Sequence, residues 1–330
     1  MLPLWILWVL LGAGVAAAAT WLVGGSVALA YFSTHPPRRR PKQTPAAFGA
    51  AFEDVRFPSA DGVMLSGWYV PARKTEQEGD RPPGAVILCH GMMANRAEVL
   101  PWAAPLWERG YALLMFDFRA LGESGGDRCT AGYSEPQDLR GAVDYLASRP
   151  DMADVPIGVF GFSMGGVAAI LAAADDPRIQ AVATHGAFAT LDRALAQRCR
   201  HHFWLFGPVV AWATRTVSQK ARWFTMSPSA VAPINAISRL TPRPLLLLHG
   251  GRDPIVHPAD ARDLHDAAAH PKHLVILPRS GHKRIHATVR DQAREQLARF
   301  FCENLNATRL AAITDGNQRR HRRDDEPVKN

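Results

Sequence analysis

The stretch from Ile157 to Ala174 restricts this chain more than any other. Ile157 to Phe160 is an apolar run that reads as a short buried strand, and the small residues Val167 to Ala174 read as a helix. Gly161-Phe162-Ser163-Met164-Gly165 joins them as a Gly-x-Ser-x-Gly turn. A strand entering a helix through so tight a turn forces its central residue into a strained backbone conformation, and glycines on either side relieve the crowding. The Ser163 hydroxyl then projects from the tip, open to a substrate. Such an elbow presents a nucleophile, and the rest of the chain must supply a base, an acid and donors for an oxyanion.

A chain of 330 residues that is 47% hydrophobic can bury a large α/β core. Its formal net charge is +8, but the basic residues are not interleaved with aromatics in a nucleic-acid reader motif, so no nucleic acid is expected as a partner. The four cysteines, Cys89, Cys129, Cys199 and Cys302, form no Cys-x-x-Cys pair and read as reduced thiols. His201 and His202 are adjacent and so face different sides of a helix, which does not suit a metal site.

The amino-terminal segment explains part of the charge. Leu2 to Phe32 carries no charged side chain and is rich in Leu, Val, Ala and Trp. As a helix it would extend about 46 Å against about 30 Å of bilayer hydrocarbon, so tilt or overhang is expected. Arg38, Arg39, Arg40 and Lys42 follow it, which predicts that the carboxyl side stays in the cytoplasm. Residues 1–35 therefore read as a retained single-pass anchor. A cleaved signal peptide, leaving a secreted protein, is the competing reading, with Ala17-Ala18-Ala19 as its small-residue site. The absence of a basic region before the apolar run, and its continuation past the alanines, weigh against cleavage. Residues 36–49 read as a basic, Pro-rich linker, partly extended and unable to pack, whose charges sit where anionic headgroups attract them. Residues 307–330 read as a disordered polar tail.

Residues 50–306 carry the pattern of one domain. Phe52 to Phe57 and Met64 to Val70 read as an antiparallel hairpin turning at Asp61-Gly62. Ala85 to Cys89 reads as a central parallel strand that ends in His90-Gly91-Met92-Met93-Ala94-Asn95. Gly91 permits a sharp turn, His90 braces it, and Asn95 caps a helix through Arg109. Tyr111 to Asp117 is the next buried strand. In the loop after it, Asp117 and Arg119 read as an ion pair and Ser124 as a turn-former. Glu135 to Ser148 reads as a helix with Leu139, Val143 and Leu146 at core spacing. Ala187 to Leu240 shows no strand, and the region of about 187–240 reads as an inserted helical cap. Between Asp192 and Arg222 it holds six basic residues and one acid, with Phe203 to Phe206, Trp212, Trp223 and Phe224 in or beside the span. Those aromatics suit either lipid contact or the cap's own core and pocket lining.

Pro244 to His249 reads as a strand, and Asp253 lies in the turn at its carboxyl end, placed to reach the rim of a site. Asp260 and Asp263 fall on the next helix and are expected to be solvated. His273 to Leu277 is the last strand, and Gly281 gives the following loop freedom to present His282. Ser163, Asp253 and His282 are thus the expected nucleophile, acid and base. His286 is the second candidate for the base. His257, His265 and His270 are expected at the surface.

The His90-Gly91 loop, the Asp117-x-Arg119-Ala120-x-Gly122-x-Ser124 loop, the Ser163 elbow, the Gly251-Arg252-Asp253 turn and Gly281-His282 occur in the order that marks the α/β-hydrolase superfamily. The chain resembles its serine esterase, thioesterase and peptidase-like branch, with Ala120 where a glycine usually stands. The resemblance covers about Phe52 to Leu305. It implies a mostly parallel sheet flanked by helices, with oxyanion donors from the backbone N–H groups of Met92 and Met164. It also implies acyl transfer to water through an acyl-enzyme, with no metal or organic cofactor. The expected substrate is a carboxylic ester or thioester with an apolar acyl group, and membrane lipids are the expected surroundings. A peptidase of the prolyl-oligopeptidase type, an acyltransferase, and a non-catalytic binding or scaffold protein on the same fold are the alternatives. Nothing in the sequence sets the oligomeric state.

Overall fold

The structure is a computed structural model that describes residues 3–73, 82–203, 207–220, 228–283 and 287–305. Among the described residues eight strands form one sheet: β1 (Glu53–Pro58), β2 (Met64–Val70), β3 (Ala85–Cys89), β4 (Ala112–Phe116), β5 (Ile157–Phe162), β6 (Ile179–His185), β7 (Leu245–Gly250) and β8 (Lys272–Leu277). Their spatial order is β1-β2-β4-β3-β5-β6-β7-β8. The β1–β2 and β2–β4 pairs are antiparallel, and all the others are parallel. Strands β3, β4, β5 and β7 are buried along their whole length, which is why they read as unbroken apolar runs.

Helices cover both faces. α2 (Leu100–Trp107) and α8 (Ala287–Asn304) pack on one side, where Trp102, Leu106, Leu297 and Phe301 meet Val86, Leu88 and Phe160. α3 (Glu135–Ser148), α4 (Met164–Asp175) and α7 (Pro258–Ala267) pack on the other, around Leu139, Val167, Ile170 and Leu264. Each fully buried Leu, Ile or Phe among these contributes roughly 1.5–3 kcal/mol relative to exposure. Between β6 and β7 the chain departs from alternation and carries α5 (Leu191–Phe203) and α6 (Gly207–Lys220), followed by short 3-10 turns. The strand order reverses between β3 and β5, so the loops at their carboxyl ends diverge and leave a crevice there.

α1 (Leu4–Thr34) precedes the domain as a single helix of 31 residues. Its first two thirds are exposed, including Trp5, Trp8, Leu11 and Val15. Its last third packs on α6, with Ser26, Ala30 and Thr34 buried, and Thr214 Oγ1 donates to the Ser26 carbonyl at 3.5 Å. The Thr34 carbonyl accepts from the Cys129 amide at 2.9 Å. The surplus length therefore lies against the body of the domain.

The linker departs from the expectation of an unpacked strap. Pro36 and Pro45 are buried, Arg38 donates to the Ser124 carbonyl at 2.6 Å, and the Arg39 carbonyl accepts from Asn95 Nδ2 at 2.9 Å. Arg38 finds its acceptor on the loop after β4 and the Arg39 carbonyl its donor on the loop after β3, so the segment lies across both. The tail, the aromatics Trp204 to Phe206, Trp223 and Phe224, and His286 lie outside the described residues.

Candidate active site

Ser163 caps the joint between β5 and α4 with φ 53° and ψ −117°, a conformation costly for a residue with a side chain. Its amide donates to the His185 carbonyl at 2.8 Å, which holds the turn. A Cβ at Gly161 would run into the Gly165 carbonyl, and one at Gly165 would strike the Cys89 carbonyl on β3. Both glycines are thus required by the closeness of α4 to the sheet.

Long-range packing brings three of the expected residues together. His282 Nε2 lies 2.9 Å from Ser163 Oγ, and His282 Nδ1 lies 2.6 Å from Asp253 Oδ2. With a carboxylate accepting at Nδ1, that nitrogen carries the proton and Nε2 is left as the acceptor for the serine hydroxyl. Asp253 Oδ1 accepts from the amides of Ile255 and Val256 at 2.8 and 2.9 Å. Burial pushes the Asp253 carboxyl up, but the hydrogen bond and charge of His282, with those two amides, outweigh it and hold its pKa below the ordinary carboxylate range.

Met92 and Met164 line the same cavity as Ser163 and His282. Neither backbone amide donates to an acceptor among the described residues. The loop bearing Met92 is fixed from two sides. His90 is fully buried; its Nδ1 lies 2.7 Å from the Gly91 carbonyl and its Nε2 accepts from the Phe118 amide at 3.0 Å. The Gly91 amide donates to Glu98 Oε2 at 2.8 Å. Burial lowers the pKa of His90, so it braces the loop as a neutral imidazole. The cavity is about 650 Å³, with walls supplied mainly by Met92, Met93, Phe188, Leu191, Leu195 and Ile255.

Two expectations require correction. Asp117 and Arg119 do not pair with each other. Asp117 holds Arg96, taking both its guanidinium and its backbone amide, the latter at 2.7 Å. Arg119 reaches the other way, to Asp138 at 2.7 Å and Asp61 at 2.6 Å. Both residues lie past the end of β4, where the chain leaves the sheet and turns, and each found its partner on a different segment. Asp260 is buried, not solvated. It accepts from the Ala189 amide at 3.2 Å, and Arg193 lies 3.4 Å away, so it ties α7 to the segment leading into α5. Ser124 does order its turn, with its hydroxyl donating to the Asp117 carbonyl. His257 and His270 are exposed and His265 is half-buried.

Sequence reasoning missed the layer behind Asp253 and His282. His249 Nε2 donates to the Val256 carbonyl at 3.0 Å and lies 3.5 Å from Asp253 Oδ2. His185 is fully buried, stacked on Phe162 with centroids 5.3 Å apart, and neither ring nitrogen has a partner among the described residues. Burial, then the nearby His249 and His282, pushes its pKa down to about 3. Gly186 has φ 68°, and a Cβ there would lie 3.1 Å from His282 Cε1. Its only sequence signal was a glycine directly after a strand.

A family model described as serine aminopeptidase S33 matches residues 80–243. The chain is 27% identical to protein YfhR of Escherichia coli O157:H7 over 257 residues, which is 77% of this chain and 82% of that one. It is 34% identical over 134 residues to the thiohydrolase aneE of Aspergillus aculeatus, 40% of each protein. An esterase of Pyrococcus furiosus of known structure superposes with a TM-score of 0.66 and 25% identity, over 83% of this chain and 99% of that one.

Proposed function

From the premise that this chain belongs to the α/β-hydrolase superfamily, and so to a fold family of hydrolases, we propose that it is a serine hydrolase. The proposed reaction cleaves carboxylic esters or thioesters with an apolar acyl group through an acyl-enzyme. The observation that carries this reading is the chain of contacts Ser163 Oγ–His282 Nε2–Asp253 Oδ2, at 2.9 and 2.6 Å, opening on a mostly apolar cavity.

In the proposed mechanism His282 Nε2 takes the Ser163 proton as Oγ attacks the acyl carbon. Asp253 keeps Nδ1 protonated and stabilises the imidazolium that forms. The amides of Met92 and Met164 receive the developing oxyanion. His282 then gives its proton to the leaving alcohol or thiol. A water, deprotonated by the same nitrogen, releases the acid. The apolar wall favours an acyl chain, and the similarity to an esterase and to a thiohydrolase supports ester and thioester substrates.

The proposed setting is a membrane, with α1 as a single-pass anchor and the domain on the cytoplasmic side. Its exposed stretch of about 20 residues would span about 30 Å, and the arginines that follow it favour the cytoplasm. The alternative of a signal sequence is less supported, because Ser26, Ala30 and Thr34 are buried against the domain.

The test is a fluorophosphonate probe together with esters and thioesters of graded acyl length. Labelling and turnover by the native chain, with loss of both in Ser163→Ala, is the expected result. Retention of active-site labelling and full turnover by Ser163→Ala would refute it. A second reading, a peptidase, is favoured by the aminopeptidase description of the matching family model. Faster turnover of peptide amides than of acyl esters would select it.

A further inference from the structure

α5 brings Arg198 into the wall of the cavity that holds Ser163 and His282. The surrounding wall is Met93, Leu191, Leu195 and their apolar neighbours. Arg198 is half-buried there, and a guanidinium partly withdrawn from water loses hydration that a counter-charge would offset. No carboxylate among the described residues supplies one. The polar contact of Arg198 is Nη2 at 3.5 Å from Met93 Sδ, and a thioether is a weak acceptor. Burial pushes its pKa below the usual arginine value, yet a guanidinium remains a cation.

The acids of the neighbouring elements are already engaged. Glu98 takes Lys283 at 2.6 Å and the Gly91 amide. Asp253 takes His282. Asp192 pairs with Arg215 at 3.2 Å, and Asp260 and Asp263 both face Arg193. Lys283, the other long cation on the cavity wall, is therefore neutralised, while Arg198 meets no carboxylate among the described residues. Its contact with Met93 also sets the guanidinium beside the loop that carries Met92, within the substrate space.

We propose that Arg198 recognises an anionic group, a carboxylate or phosphate, on the acyl ester or thioester presented to Ser163, so that the substrate is an acidic amphiphile and not a neutral ester. This rests on the reading of Ser163 as the nucleophile. The guanidinium fork matches both anions in a bidentate manner, and in a partly enclosed, mostly apolar cavity the pairing is stronger than at an open surface. The anion has two possible sources with the same chemistry. Ser33, near the end of α1, lines the same cavity, which brings the headgroup of a lipid within reach. A soluble acyl compound with a free carboxylate would satisfy Arg198 equally.

The experiment uses the full chain in phosphatidylcholine nanodiscs. One arm compares 4-nitrophenyl esters matched in length, one ending in a carboxylate and one in a methyl group. The other compares lysophosphatidic acid with monoacylglycerol. The native chain should favour the anionic member at least tenfold in kcat/KM in one arm, and that arm identifies the source. Arg198→Met should lower the anionic-to-neutral ratio about tenfold, chiefly through KM, and Arg198→Lys should restore part of it. Should Arg198→Met fail to fold, the native ratio and the Arg198→Lys ratio decide. No anionic preference in the native chain, or a ratio unchanged by substitution, would overturn the proposal. Binding of dodecyl phosphate and dodecanol to Ser163→Ala, read by thermal stability, separates this from the hydrolase reading. Tighter binding of the phosphate, lost in the Ser163→Ala/Arg198→Met double variant, supports an anion site even without turnover. Equal binding of the two ligands overturns it.

Discussion

Ala120 has φ 58°, in the loop after β4, at the place where the resemblance read from the sequence expects a glycine. A β-carbon in the left-handed region costs about 1 kcal/mol, and here the conformation is held by the Ala120 amide donating to the Gly125 carbonyl at 2.7 Å. Ala120→Gly should therefore stabilise the protein by up to about 1 kcal/mol, after some of the gain is lost to greater freedom of the unfolded chain. Chemical denaturation of both proteins checks the sign. His185 offers a pH-dependent counterpart. Unfolded, it titrates near pH 6.5; folded, it stays neutral down to about 3. The unfolded chain binds more protons throughout that window, so stability falls as pH drops from about 6.5 toward 3. Burial lowers the pKa of His90 and His249 too, which adds to the same slope. His185→Phe keeps a ring against Phe162 and removes one titration, so the loss of Tm between pH 7.5 and 5 should shrink. An unchanged slope would assign the acid sensitivity to other groups.

At the scale of elements, the joint of β5 and α4 is the tightest piece of the structure. The residues Gly165, Gly166, Ala168, Ala169 and Ala172 let α4 lie close to the sheet, all of them buried. Gly165→Val should cost roughly 2 kcal/mol or more, because its Cβ meets the Cys89 carbonyl and a strand backbone cannot yield as a side chain can. Acyl-ester turnover should fall with it, as the β3 loop is displaced; a folded variant with native turnover would contradict this account. The element pattern itself was legible. The runs Ala85 to Cys89, Met64 to Val70 and Glu135 to Ser148 have the observed bounds, since a fully buried strand or a core-spaced helix leaves its period in the local sequence. The helix expected from Asn95 to Arg109 begins instead as a 3-10 turn, Arg96 to Val99, before α2. The Asn95 side chain still accepts from the Ala97 amide at 3.0 Å, so the cap was read correctly and the tighter turn after it was not.

At the scale of the whole molecule, α1 and the domain are joined by contact as well as by chain. α1 packs on α6, whose own Val209 and Trp212 are exposed, at 50% and 68%. Arg38 secures the linker to the loop after β4. This arrangement would hold the cavity at a fixed height near a bilayer surface. The protein should remain in the membrane fraction after alkaline carbonate extraction, and a reporter fused at the carboxyl end should be active only if functional in the cytoplasm. Release of a shortened chain into the supernatant would favour signal cleavage instead.

Taken alone, the sequence determined the α/β alternation, the elbow at Ser163 and the order of the loops that carry Asp253 and His282, because hydrophobic period and turn glycines are local properties. Tertiary structure decided which charges meet. Asp117 chose Arg96, 21 positions away, over Arg119 two positions away, and Arg119 chose Asp61, 58 positions away. It also buried Asp260, set His185 and His249 behind the Asp253–His282 pair, folded the end of α1 onto α6 and turned Arg198 toward the cavity. Each of these depends on where a side chain points once distant segments pack. Burial then removes the water that would otherwise satisfy a charge, so the partner within reach decides what the residue does.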